Sequence, residues 1–175
     1  DFVVATPGPH LESIIAGQGS GAYAYSKEYA ARVLNIDIGG GTSNYVVFEN
    51  GRVVDSACLN VGGHLVETDL DGRIKAVREP ARIMARHCFG SSFDPMRMTR
   101  TQLDQLMIFM AQLIVEIMRG TPSAAAQALL MTDCLKAPNL SVPYAQLFIS
   151  GGVGECFYEP QNLVQPFLFA DTGPL

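Results

Sequence analysis

The sequence predicts an α/β domain built on a mixed sheet. Three observations predict it. Residues 33–60 hold three short apolar runs, joined first by a glycine-rich loop and then by an Asn-Gly turn. A mostly helical stretch fills residues 61–143, and a last apolar run at 144–150 ends in more glycines. Strands, then helices, then a returning strand is the order of a sheet with antiparallel and parallel neighbours.

The bulk numbers are those of a folded domain. The chain has 175 residues, 48% hydrophobic and 17% charged, enough for a sizeable core and too apolar for disorder. A net charge of −5 argues against a nucleic-acid partner held by phosphate contacts. The most apolar stretch, 103–118, is broken by Asp104, Gln105, Gln112 and Glu116. It is shorter than the ~20 apolar residues a membrane span needs, so it reads as a buried core helix and no membrane partner is expected. Cys58, Cys88, Cys134 and Cys156 are widely spaced, with no CxxC or CxxH. That spacing does not indicate zinc, and buried thiols in a reducing cytoplasm are the expectation. The chain starts at Asp1 and stops at Leu175 without a finished element, which reads as a piece of a longer protein.

In order along the chain, Thr6-Pro-Gly-Pro9 reads as a turn, and 11–16 as a short strand or a helical turn. Gly17-Gln-Gly-Ser-Gly21 reads as a flexible loop and 21–33 as a helix. Strands follow at 33–38, 44–49 and 52–60. Asn50-Gly51 between the last two is a strong hairpin signal, because both turn residues must reach positive φ. Asp71-Gly72 suggests a smaller hairpin within 65–77. A helix at 80–89 has Pro80 in its first turn and Gly90 past its end. Thr101 with Asp104 resembles a capping pair opening a long helix to Arg119, closed by Gly120. Thr121-Pro122 leads into a helix over 123–135. The strand at 144–150 then runs into Gly151-Gly-Val-Gly154, ahead of another helix.

The chemistry concentrates in Asp37-Ile-Gly-Gly-Gly-Thr-Ser43. Gly39, Gly40 and Gly41 let the backbone turn sharply and bring N–H groups against an anion. Thr42 and Ser43 add hydroxyl donors. Asp37, at a strand end, is placed to hold Mg²⁺ through water and is the residue expected to serve catalysis. Two further clusters, Gly62-Gly63 and Gly151-Gly152-Val153-Gly154, also follow strands, where open α/β sheets bind ligands. A rival reading takes Gly17-Gln-Gly-Ser-Gly-Ala22 as a G-x-G-x-x-A dinucleotide fingerprint with Asp37 as its downstream acid. That would make the chain a dinucleotide-dependent oxidoreductase. A nucleotide-free scaffold is the other alternative. His10, His64 and His87 have no motif partners and read as surface or packing residues.

Asp37-Ile-Gly-Gly-Gly-Thr-Ser-Asn44, the strand pair after it and Asn60-Val-Gly-Gly-His64 resemble the second phosphate segment of the actin, heat-shock-70 and sugar-kinase superfamily. Phe148-Ile-Ser-Gly-Gly-Val-Gly-Glu155 is similar to its adenosine segment. The resemblance implies an actin-like, ribonuclease H-like ATPase lobe. Residues 1–32 would form a connection and helix arriving from a first lobe, 33–60 and 144–175 the nucleotide-binding core sheet, and 61–143 an inserted, mostly helical subdomain. It also implies ATP and Mg²⁺ as cofactors. Asp37 and Gly39 to Thr42 would meet phosphates and magnesium, Gly62 and Gly63 the terminal phosphate, and Gly151, Gly152 and Gly154 the adenosine.

Ala5-Thr-Pro-Gly-Pro9, Ile15-Ala-Gly-Gln-Gly-Ser-Gly21, Ala57-Cys-Leu-Asn-Val-Gly-Gly63 and Ser150-Gly-Gly-Val-Gly-Glu-Cys156 narrow the likeness to the ethanolamine ammonia-lyase reactivating factors, the EutA family. That resemblance implies ATP-dependent, chaperone-like exchange of damaged for intact adenosylcobalamin on the lyase, in ethanolamine utilisation. Its setting would be cytoplasmic, with association to a bacterial microcompartment. Two departures stand out. Asn44 occupies a position where the heat-shock-70 pattern has an acid. The nearest segment to the cobalamin motif D-x-H-x-x-G is Ala85-Arg-His-Cys-Phe-Gly90, without the Asp, so cobalamin is expected to be handled through the lyase.

Overall fold

Asn50 and Gly51 both take positive φ, 52° and 72°, and the hairpin they make sets the register of the central sheet. The computed structural model describes residues 8–136, 142–158 and 172. Helices α1 (Pro9–Gly19) and α2 (Ala22–Glu28) come first. Strands β1 (Arg32–Ile38), β2 (Ser43–Glu49) and β3 (Arg52–Leu59) follow. A small hairpin, β4 (Val66–Thr68) and β5 (Ile74–Val77), leads to α3 (Glu79–Phe89), a 3₁₀ turn (Pro95–Arg97), α4 (Arg100–Arg119) and α5 (Ala124–Leu129). Strand β6 (Gln146–Ser150) then runs into α6 (Gly151–Tyr158).

The main sheet has the order β3-β2-β1-β6. Strands β1, β2 and β3 are antiparallel neighbours and β6 lies parallel to β1. This is the mixed sheet that the strand pattern predicts, three antiparallel strands plus one parallel. The remainder of the expected 144–175 core segment, and the turn beginning at Thr6, lie outside the described residues.

Strand β2 is buried along nearly its whole length because both faces of the sheet are covered. Alternation sends Tyr45 and Val47 one way, with Leu34 and Ile36, into a large core shared with α3, α4 and α5. It sends Val46 and Phe48 the other way, with Val33, into a smaller core beside α2. The segment 61–143 therefore shares one apolar core with the sheet. The Tyr45 hydroxyl donates to the Ile114 carbonyl on α4 at 3.2 Å, which satisfies a buried polar tip.

Four local expectations change. Residues 11–16 take the helical of the two alternatives, and 17–19 are not a loop, because α1 runs from Pro9 through Gly19. A Cβ on Gly17 would lie 2.5 Å from the Phe48 ring and 2.6 Å from Val46, so the glycine lets the helix seat directly on the sheet. That close packing offsets the ~1 kcal/mol that glycine costs inside a helix. The second helix ends at Glu28, not residue 33, and Ala30 turns the chain at φ 48° into β1.

The long helix is capped by Thr99, not Thr101. Thr99 Oγ1 accepts the Gln102 N–H at 3.3 Å, and Gln102 Oε1 accepts the Thr99 N–H at 2.9 Å. The helix buries only one face, with Leu103, Leu106, Met110, Leu113 and Ile117 inward and Ile108 60% exposed. Finally, α5 stops at Leu129 because Leu130 bridges to Leu59 and the Met131 N–H donates to the Cys58 carbonyl at 2.9 Å. That segment closes part of the open edge of β3. Cys58 and Cys156 are buried, Cys134 is half-buried and Cys88 is exposed, with no disulfide among them.

Candidate functional site

Two reversals of direction make β3 parallel to β1, and β6 is parallel to β1 as well. The carboxyl ends of all three strands therefore lie on one edge of the sheet. Each is followed by a glycine cluster, so Gly39 to Gly41, Gly62-Gly63 and Gly151 to Gly154 converge there. Ligands bind at this edge of open α/β sheets.

The clusters are bonded into one cradle. The Gly63 N–H donates to the Gly39 carbonyl at 2.9 Å, and the His64 N–H to the Gly40 carbonyl at 2.7 Å. A Cβ on Gly62 would lie 2.6 Å from the Gly39 oxygen and 2.7 Å from Gly40. No side chain fits between the two loops. Gly151 takes φ 84°, and a Cβ there would strike the backbone of Ile38. Helix α6 begins at Gly151 itself, so its first turn, whose N–H groups have no partner within the helix, sits at the same edge.

Asp37 lies in the middle of a row that crosses all four strands. Its partner on β2 is Asn44, whose own partner on β3 is Cys58, and its partner on β6 is Ser150. Cross-strand partners share a face. The Ser150 hydroxyl donates to Asp37 Oδ1 at 2.7 Å, and Asn35 Nδ2 donates to Ser150 Oγ at 3.2 Å.

The expected donors divide into two groups. Gly40 and Gly41 are exposed and Thr42 is half-buried, as an anion site requires. The Gly39 N–H is spent on the Thr42 carbonyl at 2.9 Å, which closes the loop, and the Gly63 N–H is spent on Gly39. Ser43 is a correction. It is fully buried, and its hydroxyl donates to the Val61 carbonyl at 2.8 Å, so it braces the end of β3 and does not face the cleft. Gly152 is exposed with open space around it, and Gly154 is buried against Ile149.

The dinucleotide reading of Gly17 to Ala22 is also corrected. That fingerprint needs a strand before its first glycine. Here a helix precedes it and contains Gly17 and Gly19.

Residue-by-residue reading missed several residues around Asp37 and the glycine cradle. Ser150 and Asn35 carry no motif of their own, and only the β1–β6 register brings them in. Thr172 donates from Oγ1 to the Gly63 carbonyl at 3.0 Å across 109 residues of sequence. His64, read as uninformative, pins the first loop through its backbone, and its ring lies 3.5 Å from Glu67, which also pairs with Arg78. A larger hollow of about 710 Å³ lies along β3, away from the glycines. Its polar groups serve one another. Asp55 accepts the N–H groups of Ser56 and Lys136, and His10 Nδ1 lies 2.6 Å from Ser56 Oγ.

The family described as "Ethanolamine utilisation protein EutA" matches residues 1–175, the whole chain. The chain belongs to the EutA family. The ethanolamine ammonia-lyase reactivase EutA of Escherichia coli (strain K12) is 50% identical over 176 residues, covering 100% of this chain and 36% of that protein. The reactivase of the same name from Salmonella typhimurium (strain LT2) is 48% identical over 175 residues, again 100% of this chain and 36% of that protein. This EutA-family chain thus spans 36% of the length of both curated relatives. Among solved structures, an Aquifex aeolicus Ppx/GppA phosphatase aligns with a TM-score of 0.27 and 21% identity, over 56% of this chain and 24% of that one.

The residues of this EutA-family chain suit a triphosphate with magnesium. The glycine cradle has no room for a Cβ at Gly62 or Gly151, so only backbone lines it there. Asn44 is 6% exposed, and its Oδ1 is a buried acceptor without a partner, in the same cross-strand row as Asp37. Buried acceptors are ordinarily satisfied, so such an atom calls for a donor such as metal-bound water. Among the described residues no three His, Cys, Asp or Glu side chains cluster as a metal cage. Magnesium does not require one, because it keeps waters and leans on one or two carboxylates and the phosphates. No helix among the described residues is long and apolar enough to cross a membrane.

Proposed function

We propose that this chain supplies one wall of an ATP site in a reactivating factor for ethanolamine ammonia-lyase, which exchanges damaged for intact adenosylcobalamin. One observation carries the reading: three glycine clusters far apart in sequence meet around Asp37 at one sheet edge. The names of the two curated relatives supply the partner, the lyase.

In this reading Gly40, Gly41 and Thr42 donate to the phosphates, and Gly62 lets the second loop close on the first. Asp37, oriented by Ser150, accepts from magnesium-bound water. Bound Mg²⁺ neutralises phosphate charge. Residues 1–32 connect to a first lobe carrying the opposite wall, and 61–143 form the inserted subdomain. Nucleotide can drive exchange only by binding two states of the factor with different affinity, and these would be states that differ in their hold on the lyase. Cobalamin is handled through the lyase, in a cytoplasmic setting that extends to the microcompartment.

The test is rescue of inactivated lyase by a full-length family member carrying these residues. Rescue is expected with ATP and Mg²⁺ and not with a nonhydrolysable analogue, and Asp37→Ala should abolish it with the fold retained. Equal rescue without nucleotide would overturn the ATPase reading and favour a nucleotide-free scaffold.

A further inference from the structure

We infer that the outer face of α4 is a contact through which two copies of this protein pair, antiparallel and about a two-fold axis, independently of the nucleotide reading above. Helix α4 turns Leu103, Leu106, Met110, Leu113 and Ile117 into the core. The opposite face of such a helix is ordinarily polar. Here it carries a second apolar stripe: Ile108 is 60% exposed and Val115 36%, with exposed Ala111 between them. The three recur at i, i+3 and i+7, so they stand in one line along the helix. With Gln112, Glu116 and Arg119 they border a shallow groove of about 450 Å³.

The charges at the two ends of the stripe favour a second copy as its cover. Exposed Arg119 lies beyond Val115, and half-buried Asp104 lies before Ile108. Ile108 and Val115 are equally far in the chain from the point between Ala111 and Gln112, and so are Asp104 and Arg119. A two-fold axis at that point therefore sets Ile108 of one copy level with Val115 of the other. It also sets Asp104 level with Arg119, at both ends at once. A parallel copy would instead set Arg119 against Arg119 and Asp104 against Asp104. Complementary charges fix orientation and suppress like-charged alternatives. A patch complementary to itself makes an isologous contact, which closes on two copies and does not grow into a filament. Asp104 already pairs with Arg100 of its own helix at 2.8 Å, so in the dimer it would lie between two arginines. Ala111 at the axis adds little bulk, which suits helices packed about 8–10 Å apart. Helix α4 has 20 residues, so the contact can run for about 30 Å. One helix pair is small beside standard interfaces, and a reversible dimer with a dissociation constant on the order of micromolar is expected.

The experiment is sedimentation velocity of a full-length family member carrying these residues, over about 0.1 to 100 μM. A concentration-dependent shift from monomer to dimer is expected. On a two-fold contact every substitution acts twice. Ile108→Asp, at an exposed position, should therefore weaken the dimer by about tenfold or more, with circular dichroism unchanged. Arg119→Asp and Asp104→Arg should each weaken it by about tenfold or more, because each sets like charges level at both ends. The two single variants mixed should pair with each other more tightly than either pairs with itself, since the mixed dimer restores an opposite charge at both ends. The double variant should return to within about threefold of the parent. Damage to the fold by either substitution would not be rescued by mixing. A monomer at every concentration would overturn the inference and leave the face to the remaining length of the family chain or to another protein. A dimer indifferent to Ile108→Asp, or charge variants that mixing does not rescue, would overturn it as well.

Discussion

The Ser150 hydroxyl on β6 donates to the Asp37 carboxylate on β1 at 2.7 Å, linking the parallel strand to the acid at the centre of the site. Asn35 donates to the same Ser150 oxygen, so one hydroxyl orders two buried or half-buried neighbours. Removing it strands both. Ser150→Ala should cost about 1.5–3 kcal/mol in urea unfolding, the scale of a hydrogen bond to a charged group. Ser150→Thr should restore most of it.

The packing of the two loops predicts a contrast between glycines. Gly62→Ala would press a methyl against Gly39 and Gly40 at 2.6–2.7 Å and should cost about 1–3 kcal/mol as an overpacked site. Gly41 has nothing within 4 Å of the corresponding position, so Gly41→Ala should leave the melting temperature nearly unchanged. Thermal unfolding of the pair checks this directly.

The cap of α4 separates two nearby threonines. Thr99→Ala removes the acceptor for the Gln102 N–H and should destabilise by about 1 kcal/mol. Thr101 is exposed on the first turn and makes no cap, so Thr101→Ala should be close to neutral. Chemical denaturation of both variants distinguishes them.

Burial pushes the Cys58 thiol from its ordinary 9.0 up to about 11, with the negative charge of Glu12 adding to the shift. The folded state therefore holds this proton more tightly than the unfolded state. Its contribution is fully present below about pH 9 and is lost as pH rises towards about 11. Stability measured across that window should fall more steeply for the parent protein than for Cys58→Ala. In native protein at pH 8, a thiol reagent should label exposed Cys88 well ahead of Cys58.

Much of the fold was legible one segment at a time. Strands 33–38, 44–49 and 52–60 follow from apolar runs and from Asn50-Gly51, because strand propensity and turn chemistry act over a few residues. The same locality explains the misses. Gly17 breaks helices in isolation, and only its contact with Phe48 and Val46 shows why α1 continues through it. Thr101 with Asp104 satisfied a spacing rule, but the backbone was already capped by Thr99. Residues 130–135 carry enough alanine and leucine before them to extend a helix, yet pairing of Leu130 with Leu59 offered the backbone different partners.

By itself, the sequence determined which residues could touch phosphate: three glycine clusters and one aspartate, each ending a strand. It also carried the family, since those clusters and their flanks are contiguous words in the chain. Only tertiary structure decided which of those groups face outward. Sheet order brought the clusters to one edge, turned Ser43 inward to Val61, spent the Gly39 and Gly63 N–H groups on the cradle, and drew Ser150, Asn35 and Thr172 into it. The reason is physical. A donor's local geometry depends on its neighbours in the chain, but whether it is free depends on which distant carbonyl the fold has set beside it.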